Sequence, residues 1–71
     1  MSARATIDVN GAERPLEEPT LDALLRSLGY GEGEAGIAVA VNGEVVRRTA
    51  WAERRLRAGD HVEIVGATQG G

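Results

Sequence analysis

The chain has 71 residues, a formal net charge of −3 and no cysteine. This length supports one small domain, burying about 60% of its unfolded surface; without cysteine, disulfides and thiolate metal sites are excluded. No apolar run approaches membrane length and Met1-Ser2-Ala3-Arg4-Ala5-Thr6 lacks a signal-peptide core, so a soluble cytoplasmic domain is expected.

Thr6-Ile7-Asp8-Val9 alternates polar and apolar residues, the period of a strand, and runs into Asn10-Gly11. Asn-Gly is the strongest short hairpin signal because both turn positions need positive φ. The return strand, Ala12 to Leu16, contains Pro15, which cannot donate a ladder hydrogen bond and so belongs at a sheet edge. Thr20 reads as a helix N-cap, with Pro19 keeping the preceding residue extended. Leu21, Leu24, Leu25 and Leu28 then fall at i, i+3, i+4 and i+7, one apolar helical stripe. Asp22 lies in the first turn, where an acid suits the helix dipole, and Gly29 supplies the left-handed position that ends the helix.

Gly31 to Gly36 is read as a flexible acidic connection. Ile37 to Val41 is a strand with large residues on one face and alanines on the other, and Asn42-Gly43 turns it into Glu44-Val45-Val46. Thr49 to Glu53 reads as irregular or a single turn, Ala58-Gly59-Asp60 as a turn, and His61 to Val65 as the last strand. The expected core is Ile7, Val9, the leucine stripe, Val39, Val41, Leu56, Val62 and Ile64, with Trp51 as a lid on one end or a partner contact. Hairpin, helix, strand or hairpin, irregular crossover and final strand make an α+β domain, a mixed sheet packed on one main helix. That is the β-grasp, or ubiquitin-like, architecture. The domain spans residues 1–65, and residues 66–71 form a flexible tail ending in Gly-Gly.

The residues that carry most chemistry are missing. His61 stands alone with no cysteine beside it, so no metal site is expected. Ser2 and Ser27, one terminal and one helical, give a Ser-His-Asp arrangement little support. Gly31-Glu32-Gly33-Glu34 lacks the lysine and hydroxyl of a phosphate loop. No catalysis by the chain itself is expected. Charge is uneven: residues 1–45 hold three arginines against eight acids, residues 46–71 five against three. The second group (Arg47, Arg48, Arg54, Arg55 and Arg57) is either a solvated loop or a docking patch for an acidic partner, with Arg47, Arg48 and Arg55 the docking candidates. No aromatics interleave these arginines and the overall balance is acidic, which argues against nucleic acid. No lysine is present, so the chain cannot receive side-chain isopeptide bonds.

The most telling segment is the tail, Gly66-Ala67-Thr68-Gln69-Gly70-Gly71, directly after the last strand. Glycine has no Cβ, so another protein can close a narrow slot around the last two residues and reach the carboxylate. Together with Thr20-Leu21-Asp22-Ala23-Leu24-Leu25 leading to Leu28-Gly29, the Val39 to Val46 stretch around Asn42-Gly43, Trp51, and Ala58 to Val65, this end resembles the ThiS family of sulfur carriers. Arg47 departs from the family, which often has proline after the two valines, and Gly66 to Gln69 is a more polar exit than many relatives carry.

The resemblance implies a carrier cycle. An adenylating enzyme of the ubiquitin-activating type would use ATP to convert the Gly71 carboxylate into an acyl-adenylate. A persulfide donor would deliver sulfur to give a Gly71 thiocarboxylate, and thiazole synthase would take that sulfur for the thiazole ring of thiamine. Residues 66–70 would be the part presented to these partners, and no cofactor would be bound. The rival readings are the small subunit of molybdopterin synthase (often longer and richer in phenylalanine, of which this chain has none), a carrier for another pathway, a protein modifier joined to lysines, and a passive interaction domain.

Overall fold

The computed structural model describes residues 4–30 and 36–66. The elements are β1 (Thr6–Val9), β2 (Ala12–Pro15), α1 (Leu21–Ser27), β3 (Ile37–Val41), β4 (Glu44–Val45), a 3-10 turn (Arg48–Ala50) and β5 (His61–Gly66). They form one mixed sheet in the order β2-β1-β5-β3-β4, with β1 and β5 parallel and the other neighbours antiparallel. Both Asn-Gly pairs turn with positive φ at each residue, 51° and 87° at Asn10-Gly11 and 54° and 82° at Asn42-Gly43. Pro15 lies on the outer strand, as its missing N–H requires.

Thr20 caps α1, its Oγ1 accepting from the Ala23 N–H at 3.2 Å. At the other end Gly29 has φ 99°. Its N–H donates to the Arg26 carbonyl and the Tyr30 N–H to the Leu25 carbonyl. This is the paired closure that satisfies orphan carbonyls at a helix end. The first turn is satisfied by the crossover between β4 and β5: Leu21 N–H donates to the Arg54 carbonyl at 2.9 Å and Asp22 N–H to the Trp51 carbonyl at 3.1 Å. A bridge between Thr20 and Arg55, and a bond from Leu56 N–H to the Pro19 carbonyl, continue the seam.

One face of the sheet packs on α1. Ile7, Leu21, Leu24, Leu25, Val39, Val41 and Val62 are almost wholly buried, joined by Val9, Leu56 and Ile64, while Leu28 packs half-buried at the margin. Trp51 is 7% exposed and donates its indole N–H to the Val46 carbonyl at 2.9 Å. It is therefore a lid on the core with its one polar atom satisfied. Val46, N-terminal to the crossover, still donates to Val39 past the end of β4 and packs against the core.

Candidate functional site

The strand that leads to the tail is the most heavily braced element of the sheet. β5 lies between β1 and β3, and β3 follows it from Val41↔Val62 to Ile37↔Gly66. β1 follows it only briefly, pairing Asp8↔His61 and Val9↔Val62, with Asn10 N–H donating to the Val62 carbonyl. There the chain turns away at Asn10-Gly11. The Asn10 side chain then takes the place of the departing strand: Oδ1 accepts from Ile64 N–H at 2.8 Å and Nδ2 donates to the Ile64 carbonyl at 3.3 Å. Asn42 does the corresponding work where β5 begins. Its Oδ1 accepts from His61 N–H at 2.9 Å and its Nδ2 donates to Asp60 Oδ1 at 3.0 Å. Each hairpin turn thus places its asparagine, held at positive φ, against one end of β5.

β5 runs through Gly66, paired with Ile37, one residue beyond the expected strand. Gly66 therefore belongs to the sheet rather than to the tail, because β3 supplies a partner for it. A Cβ there would meet no atom within 4 Å, so the pairing and not the missing side chain fixes its place. Ala67, Thr68, Gln69, Gly70 and Gly71 lie outside the described residues, as do residues 31–35 of the acidic connection.

Away from the helix the sheet is open. The ladder places Asp8 opposite both Glu13 and His61, and the His61 Nδ1 lies 3.2 Å from Asp8 Oδ2. Further along, Ala38 stands opposite Val65, and Ala40 opposite both Val45 and Glu63. Val45 and Val65 are 74% and 61% exposed, so an apolar diagonal ends beside the exit of β5. Among the described residues no group of three or more His, Asp or Glu side chains could hold a metal ion. No helix among them is long and apolar enough to cross a membrane.

The docking candidates all lie on the crossover. Arg47 precedes the 3-10 turn in extended conformation, Arg48 opens it with its guanidinium 5.6 Å from the Trp51 ring centroid, and Arg55 bridges Thr20 at the helix start. Arg48 thereby serves the lid as well as the surface. The asparagine braces and the Asp8–His61 pair join residues too far apart in the chain to be legible in the sequence. The only signal for the braces was the choice of asparagine at the first turn position, where glycine also fits.

A sequence model of the ThiS family matches residues 5–71, from before β1 through both terminal glycines. The chain belongs to the ThiS family. It is 41% identical over 63 residues to the sulfur carrier protein ThiS of Thermus thermophilus, covering 89% of this chain and 95% of that relative. The crystal structure of the thiamine biosynthesis protein ThiS from Geobacter metallireducens superposes with a TM-score of 0.76 at 29% identity, over 93% of this chain and 99% of that one. The solution structure of a thiamine biosynthesis protein from the same organism gives 0.72 at 29% identity, over 93% of this chain and 87% of that one. The two solved structures share this chain's β-grasp fold, which here is a five-stranded mixed sheet with one α-helix among the described residues.

Proposed function

We propose that this chain is a sulfur carrier for thiamine biosynthesis, with Gly71 as the terminal residue that bears the sulfur. The observation that carries the reading is the family match running to Gly71, supported by a relative at 41% identity named as a sulfur carrier. The chemistry suits a slim terminal carboxylate. A carboxylate is a poor electrophile until one oxygen becomes part of a leaving group, which adenylation by ATP on a partner enzyme accomplishes with release of pyrophosphate. The terminal sulfur of a persulfide then attacks the acyl carbon and AMP departs. Cleavage of the resulting S–S bond by a thiol frees the thiocarboxylate, a soft nucleophile for an electrophilic carbon. The carrier supplies no catalytic group in this scheme; it presents one functional group to successive enzymes. Thiazole synthase is the acceptor this reading names, in keeping with the thiamine relatives.

The test is intact mass after incubation with an adenylating enzyme of the ubiquitin-activating type, ATP and a persulfide donor. The expected product has one oxygen replaced by sulfur, mapped to Gly71 by fragmentation. Unmodified protein, from an enzyme preparation that modifies another ThiS carrier, would refute the reading.

A further inference from the structure

We propose that Asn10 is a positioning residue for the tail: its side chain steadies β5 at Ile64, two residues before the strand end from which the reach to Gly71 begins. This inference rests on the carrier reading above. The β1–β5 ladder stops at Val9↔Val62, and the backbone bond from Asn10 to Val62 is the last that β1 contributes. Beyond it β5 would be held from the β3 side alone for its remaining residues. The Asn10 amide removes that weakness at Ile64 by both donating and accepting, as a backbone peptide would. Ile64 is also the last core residue among the described residues, 8% exposed, so the brace and the apolar anchor act at one position.

Five residues, 67–71, follow Gly66. Fully extended they span at most about 18 Å, at roughly 3.3–3.6 Å per residue. If β5 opened back through Ile64, three more residues would have to be ordered each time the carboxylate entered an active site. The cost of ordering even one residue is of the size that separates tight from weak binding. A braced root lowers that cost before the partner is met and keeps the reach constant for each enzyme in turn.

Asn42 provides the control. It braces the opposite end of β5, accepting from the His61 N–H and donating to the Asp60 carboxylate, far along the strand from the exit. Glycine at either position keeps the turn, since glycine accepts positive φ, and removes the brace. Carrier-dependent ATP–pyrophosphate exchange should be measured for wild type, Asn10→Gly and Asn42→Gly, at a temperature where circular dichroism shows each folded. Asn10→Gly should raise the KM for carrier by about three- to tenfold with kcat within about twofold, the size expected from ordering roughly one further residue on binding, because β3 still pairs with the strand. Asn42→Gly should match wild type in both. Amide exchange at residues 64–66 should quicken in Asn10→Gly alone. If Asn10→Gly does not fold, Asn10→Asp keeps the shorter bond to Ile64 N–H but sets a carboxylate oxygen against the Ile64 carbonyl, and its KM should rise in the same direction. Equal KM values for the two glycine variants, or a wild-type KM in the Asn10 variant, would overturn the proposal and leave the carrier reading intact. Absence of exchange with wild type would overturn both.

Discussion

Asn42 and Asp60, eighteen residues apart, are joined by a 3.0 Å hydrogen bond from the asparagine amide to the buried carboxylate. The second carboxylate oxygen accepts from Arg57 N–H at 2.9 Å, closing the turn that launches β5. Two of the segments that make this sequence resemble the ThiS family, the Asn-Gly hairpin and the Gly-Asp turn, are therefore one physical unit. Asp60→Ala leaves the Arg57 N–H and the Asn42 amide without their acceptor and should cost about 1–3 kcal/mol. Asp60→Asn, which keeps one acceptor oxygen, should cost less. Urea denaturation followed by circular dichroism measures both, and equal stability of Asp60→Ala and wild type would contradict the account.

Core and tail should separate cleanly. Leu25 is 1% exposed in the middle of the helical stripe, so Leu25→Ala should destabilise by about 2–5 kcal/mol through lost transfer energy and the cavity left behind. Deleting Gly70-Gly71 should leave the melting temperature unchanged and abolish activation. A truncated chain that unfolds would make the glycines structural.

Much of this fold is legible in the sequence because its signals are local. The Asn-Gly turns, Pro15 at the edge, the Thr20 cap, the leucine stripe and the Gly29 stop each act within a few residues. What the sequence hides is long-range. Nothing near Asn10 announces a bond to Ile64, fifty-four positions away, and nothing near Asp8 announces His61. The end of β5 is hidden for the same reason: a glycine after an apolar run reads as a stop, whereas Ile37 on β3 provides the pairing that keeps Gly66 in the sheet. The arginines of the crossover read as surface charge, and one of them turns out to stack on the lid.

That stacking decides how the docking patch is tested. Arg48 over Trp51 is worth about 0.5–1 kcal/mol at an exposed site, so its reversal mixes folding with docking. Reversal of Arg47 and Arg55 to glutamate should slow association with the activating enzyme, by a factor that shrinks as salt rises. Stopped-flow association rates across ionic strength provide the check. Rates that match wild type at every salt concentration would make these arginines solvated surface.

Substitutions at the end of the chain should rank by bulk in the slot. Gly71→Ala adds a single methyl and keeps the carboxylate, so it should retain part of the exchange activity. Gly70→Val should retain less, because a β-branched side chain fills the slot and stiffens the backbone. The reverse order in an ATP–pyrophosphate exchange assay would show that the slot is not narrow at Gly70.

The central claim is that the free carboxylate of Gly71 is the group activated, and extending the chain tests it most directly. With any residue appended, the Gly71 carbonyl sits in an amide and can form no acyl-adenylate, although the fold is untouched. ATP–pyrophosphate exchange by the adenylating enzyme should proceed with the 71-residue chain and be absent with a C-terminally tagged one of equal stability. Exchange supported by the tagged protein, with the tag shown intact by mass, would contradict the account.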